Sequence, residues 1–298
     1  MDRYLIINAD DFGMCHAGNL AVMDLFAKGG ITSSTIMAPC SWSREAAVWA
    51  AQHPEYAVGV HLTTTSEWGN YRWGPVANGD TSSLRDEDGY FWHESDQFEE
   101  HFDLDQVEAE IRAQVEKLKG FGLDPSHLDN HMGSLYGIEG GHFETLQKTF
   151  EICAEYGLPF RFPSKFTEEM LGNAMLDIKI DPKLILAVFG QINAFVDELG
   201  VPILDYLVPG DWNGPQKESY ENYRDYIFEM YAHFPEGVTE TYIHPALESD
   251  ELKAITGSWQ HRVWEYTLFA DPKTREYITK DLGIKLINYR DLKAMRAK

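Results

Sequence analysis

The chain has 298 residues, with 25 Lys and Arg against 48 Asp and Glu, a formal net charge of −23. A nucleic-acid backbone or an anionic membrane surface would repel such a chain at long range, so neither is an expected partner. Hydrophobic residues make up 44% and aromatics 13%, enough for a large core and too much for a disordered acidic chain.

The three cysteines, Cys15, Cys40 and Cys153, are an odd count without paired spacing, which indicates neither a disulfide framework nor a thiolate zinc site. The N-terminal MDRYLIINADDFG runs from apolar straight into acidic residues with no cleavage-site pattern. No apolar stretch approaches the roughly 18 residues of a membrane span. The expected location is the cytoplasm.

In chain order, short β-rich runs alternate with longer helical patterns. Residues 4–8 (YLIIN) are apolar on both faces, as a buried parallel strand requires, and the helical spacing that follows from His16 to Lys28 stops at Gly29 and Gly30. Further strands are predicted at 32–37, 56–62, 126–132, 159–162, 202–207, 238–244 and 284–289. Helices are predicted near 43–52, 104–120, 142–156, 182–198, 218–232 and 258–269. Eight strands with helices between them over nearly 300 residues favour a single-domain α/β fold, a (β/α) barrel spanning residues 1–298. The stretch from Ser66 to Asp103, rich in Gly, Asp, Ser and Trp and without sustained period, reads as a rim insertion after the third strand.

Three predicted strand ends carry residues able to hold a metal: Asp10 and Asp11 after LIINA, His61 in VGVHL, and His127, Asp129 and His131 in HLDNH. In a parallel barrel these ends share one rim, and the period of two points 127, 129 and 131 to one side. Each piece alone also has a plain structural reading: a helix cap for the Asp pair, a hydrogen-bonded core histidine for His61. One Asp with two His would leave coordination positions open, as a catalytic site needs.

LIINADDFGMCHAGNLAV, GITSSTIM, VGVHL, HLDNHMG and YIHPA occur in that order between about residues 4 and 247, and together they resemble the YdjC-type carbohydrate deacetylases. The resemblance implies a deacetylase-type barrel that removes an N-acetyl group from an amino sugar or short chitooligosaccharide. It implies Asp11, His61 and His131 as ligands of one divalent ion, Asp10 as catalytic base and His244 as general acid. Zinc or another transition metal suits one carboxylate and two imidazoles better than magnesium, which prefers more oxygen ligands. Arg161 in PFRF is the candidate partner that orients Asp10, or else an ordinary inter-strand ion pair. Asp129 and His127 are candidates for fixing ligand tautomers or touching substrate.

Trp68, Trp73 and Trp92 in the insertion, with Trp212 in PGDWNG, are placed to stack on sugar rings or to pack their own loops. Asp211 beside Trp212 is a turn residue or a hydroxyl acceptor. The expected partner is a small carbohydrate, phosphorylated or not, and a barrel surface of this kind can also support a homodimer. The alternatives are a metal-dependent amidohydrolase or phosphoesterase on another small substrate, and a non-catalytic carbohydrate-binding barrel.

Overall fold

The computed structural model describes residues 2–165 and 182–297. In chain order they form β1 (Arg3–Phe12), α1 (His16–Lys28), β2 (Ser33–Ile36), α2 (Ser43–Gln52), β3 (Ala57–Leu62), α3 (Ser95–His101), α4 (Leu104–Gly120), β4 (Leu128–Asn130), α5 (Glu144–Tyr156), α6 (Pro182–Leu199), β5 (Tyr206–Leu207), α7 (Tyr220–Ala232), β6 (Gly237–Ile243), α8 (Asp250–Ile255), α9 (Trp259–Ala270), α10 (Pro272–Glu276), β7 (Lys285–Leu286) and α11 (Tyr289–Arg296). Among them no helix is long and apolar enough to cross a membrane.

Leu5, Ile6 and Ile7 are all buried, so both faces of β1 are covered, and β1 sits at the middle of a parallel sheet ordered β4-β3-β2-β1-β6-β5. The two-residue β7 adds to the start of β1 at Tyr4 and Leu5. The strand expected at 159–162 is irregular: Phe160 makes one bridge to Leu128, and Pro163 one to Leu204. Pro159 and Pro163 lack the N–H groups a regular ladder uses. Hydrogen bonds nevertheless run along both flanks of this segment, from Arg161 N to Leu128 O (3.0 Å) and from Leu204 N to Phe162 O (3.0 Å). They carry the sheet's curl from β4 round to β5. The result is an α/β half-barrel of seven strands among the described residues, in which β5 and β7 are shorter than the strands expected at 202–207 and 284–289.

Local chemistry sets the elements that position the site. Helix α1 starts where the Cys15 thiol accepts from Gly18 N and ends at Gly29, whose φ of 69° is the left-handed cap that glycine takes readily. Within β3, a Cβ on Gly59 would lie 2.4 Å from His127 O, so glycine is what lets β3 and β4 approach.

The rim insertion is ordered, because polar anchors replace hydrophobic period. Buried Glu110 of α4 accepts from Val76 N (2.9 Å) and Ala77 N (2.8 Å). Arg72 bridges Ser66, Asp86 and Phe91 O. All three cysteines are free and buried.

Candidate metal centre

Successive side chains on a strand point to opposite faces. The end of β1 departs from this rule: its register against β2 shifts between Ala9 and Phe12. Asp11 has a φ of 60°, a left-handed value uncommon for a residue with a Cβ. Both carboxylates therefore turn toward one imidazole. His61 Nε2, from β3, lies 3.6 Å from Asp11 Oδ1 and 3.9 Å from Asp10 Oδ2. His131 Nδ1 lies 3.4 Å from the same Asp11 oxygen.

Each imidazole is turned so that its other nitrogen meets a carboxylate. His61 Nδ1 is 2.7 Å from Asp129 Oδ1, and His131 Nε2 is 3.0 Å from Glu67 Oε2. With the proton on that outer nitrogen, the lone pairs of His61 Nε2 and His131 Nδ1 aim at Asp11. Asp11 is 3% exposed, yet neither of its oxygens accepts a hydrogen bond; Oδ2 lies 2.8 Å from Arg262 Nη2 as an ion pair. Arg262 balances the charge from the Oδ2 side, and the buried Oδ1, without a hydrogen bond and faced by two imidazole nitrogens, is left open to a metal cation.

One donor atom from each of Asp11, His61 and His131 lies within 4.8 Å of the other two. Donors about 2.0–2.2 Å from one tetrahedral ion sit about 3.3–3.6 Å apart, so the 3.4 and 3.6 Å spacings fit a zinc-type ion. A second grouping, Asp10, His61 and Asp129, is equally compact. Its cation is already present: the Arg161 guanidinium meets Asp10 through two hydrogen bonds of 2.6 and 2.7 Å and Asp129 Oδ2 at 2.8 Å.

Burial works to raise the Asp10 pKa, but Arg161 and then His61 bring it down to about 2, so Asp10 is ionised at any working pH. Arg161 also donates from Nε to Glu240 Oε1 (2.7 Å), whose other oxygen accepts from the Tyr289 hydroxyl.

The remaining predicted residues divide. Asp129 is fully buried and bonded to His61, Arg161 and Thr35, so it holds the histidine rather than touching substrate. His127 does point inward, but one layer lower, two residues or about 6.6 Å down the strand. Its ring is fully buried and stacked on Tyr289 at 3.7 Å, out of a substrate's reach. His131 is not a strand residue: β4 ends at Asn130, and left-handed Met132 and Gly133 begin a tight turn.

His244 is half-buried; desolvation of its ring takes the pKa down to about 4, against the opposing pull of Asp11. Trp68 lies beside the centre, its ring 5.5 Å from the Arg262 guanidinium. Trp73 is buried edge-on to His131, and Trp92 stacks on His101. Trp212 stacks on Tyr223 and His261, making it a packing residue of its loop. Asp211 closes that loop by accepting from Asn213 N.

Residues 4–280 match the family described as YdjC-like protein. The chain belongs to the YdjC-like family. A carbohydrate deacetylase of Thermoanaerobacter pseudethanolicus is 27% identical over 98% of this chain and 100% of its own length. One of Enterococcus faecalis V583 is 28% identical over 98% of both. The crystal structure of an Enterococcus faecalis V583 protein named for cellobiose-phosphate cleavage superposes with a TM-score of 0.73 at 27% identity, covering 98% of this chain and 99% of that one.

Four residues of this YdjC-like site escaped sequence reasoning: Glu67, Arg262, Glu240 and Tyr289. Arg262 left a readable trace: with Leu268, Phe269 and a second charged residue, Glu265, which accepts from His244 N, it falls on the buried stripe of α9, where charge is out of place. Glu67 left none.

Proposed function

We propose that this protein is a metal-dependent deacetylase that hydrolyses the N-acetyl group of an amino sugar or short chitooligosaccharide, free or phosphorylated, to give acetate and a free amine. The observation that carries this reading is Asp11, buried without a hydrogen bond and faced by one nitrogen from each of His61 and His131. Full-length relatives named carbohydrate deacetylases supply the substrate class.

Asp11, His61 and His131 would hold the ion. When bound, it supplies polarisation of the acetyl carbonyl and a water acidified toward neutral pH. Asp10 accepts the water's proton. Arg161 keeps Asp10 charged and fixes its plane through two parallel hydrogen bonds. An anion held to a pKa of about 2 keeps a proton poorly, so the proton moves on to the leaving nitrogen. His244, neutral above about pH 4 and electrostatically coupled to both Asp10 and Asp11, is the group that relays it. Trp68 offers the sugar a flat apolar face at the rim.

A dinuclear phosphoesterase or amidohydrolase would place a second cation among Asp10, His61 and Asp129, where the Arg161 guanidinium already sits. The experiment that tests the proposal is metal analysis of the purified protein together with acetate release from N-acetylglucosamine, its oligomers and their phosphorylated forms. Stoichiometric metal and metal-dependent acetate release are expected. Bound metal without acetate from any of these would transfer the site to another hydrolysis, and absence of metal would remove the centre.

A further inference from the structure

The two imidazoles of the centre are supported from different parts of the fold. His61 is held by Asp129, which comes from the adjacent strand β4 and is locked by Arg161 and Thr35. His131 starts the turn that follows β4, outside the sheet's hydrogen-bond ladder, and its Nε2 meets Glu67 at 3.0 Å. Glu67 stands at the start of the rim insertion. The next residue, Trp68, stacks under Arg262, whose Nη2 is 2.8 Å from the Asp11 oxygen that turns away from the histidines. Two consecutive insertion residues thus reach two of the three side chains that face one another across the centre, one directly and one through Arg262.

We propose that Glu67 is a positioning residue of the metal centre: it takes the Nε2 proton of His131 in a hydrogen bond, commits Nδ1 to the ion, and so makes the rim insertion part of the centre. This rests on the deacetylase reading above. A ligand histidine whose outer N–H has no partner can rotate and can present the wrong nitrogen, and losing such a partner typically costs metal affinity about 10–100-fold. Side-chain identity matters here in a graded way. Gln keeps an acceptor without the charge, whereas Leu keeps only the volume.

The test uses cobalt(II) as the probe on the full chain. Wild-type, Glu67→Gln and Glu67→Leu proteins are titrated with cobalt against a chelator, and the exchangeable, hyperfine-shifted imidazole N–H protons are recorded by NMR. Expected are two such protons in the wild type, from His61 and His131. In Glu67→Leu one is lost to solvent exchange and cobalt affinity falls about 10–100-fold, with Glu67→Gln between. If wild type binds cobalt and Glu67→Leu keeps its affinity and both protons, Glu67 has no positioning role. If wild type binds no cobalt, the metal centre itself fails and the proposal falls with it. Circular dichroism of each variant separates a local effect from misfolding. Should Glu67→Leu be unfolded, Glu67→Gln decides, and unchanged affinity and N–H signals in that variant overturn the proposal.

Discussion

Asp10 and Asp11 are neighbours in the chain and both turn toward His61 Nε2, because Asp11 takes a left-handed φ of 60° where β1 slips its register against β2. That conformation costs roughly 1–2 kcal/mol for a residue with a Cβ, least for Asp and Asn, whose short polar side chains bond locally. Strain of this kind persists where the surroundings over-determine it. The consequence is a division of labour between adjacent carboxylates: Asp10 is occupied by Arg161, while Asp11 is left open toward two imidazoles.

Asp11→Asn should therefore fold, since Asn tolerates the left-handed backbone, and still offer an oxygen to Arg262. It should nevertheless lose metal by more than the roughly 10–100-fold typical of a change outside the ligand set, because the anionic ligand is gone. Chelator competition measures this, and an unchanged dissociation constant would remove Asp11 from the ligands.

Asp10→Asn should show the opposite pattern. Metal content stays near that of wild type, because Asp11, His61 and His131 are untouched, while acetate release falls by the roughly 10²–10⁴ expected of a positioned base. Wild-type turnover in this variant would assign the proton to another group, with His244 the first to examine.

Arg161 is 2% exposed and meets three carboxylates, Asp10, Asp129 and Glu240. Arg161→Met strands three buried acids, and breaking a buried pair of this kind costs about 3–5 kcal/mol. Glu240→Gln should cost less, since the amide oxygen still accepts from Arg161 and the amide NH2 can donate to the Tyr289 hydroxyl oxygen, and burial already raises the Glu240 pKa to about 7. Urea denaturation at neutral pH would rank the two, and equal losses would contradict the network.

The parts of this site legible in the sequence are those whose side chains sit at strand ends. The passage from apolar LIINA to Asp10 and Asp11, His61 closing an apolar run, and Asp129 in HLDNH follow from parallel strands ending on one rim, while His131 reaches the same rim from the turn after β4 rather than by strand alternation. The layer on which His127 lies could not be read, because period gives the face of a strand and not its depth. The irregular segment carrying Arg161 read as a strand because Phe160 and Phe162 look like one; the flanking prolines decide otherwise. Glu67 sits in a segment whose order comes from polar anchors, and such anchors have no period to find.

Glu265, which lies outside the proposed ligand set, supplies a pH test that needs no bound metal. Its Oε2 accepts from His244 N at 2.7 Å, and burial pushes its pKa up to about 8. The folded protein thus holds a proton on Glu265 between its ordinary value near 4.5 and about 8, where the unfolded chain has released it. More protons on the native state mean that stability falls as pH rises through this window, and levels off above it. Glu265→Gln keeps an acceptor for His244 N but cannot titrate, so its contribution is flat. Measured on metal-free protein by urea denaturation from pH 5 to pH 8, the variant should gain on wild type as pH rises, with one pKa unit worth about 1.4 kcal/mol. Parallel stability curves for the two proteins would mean that Glu265 is charged in the folded state and that water reaches it.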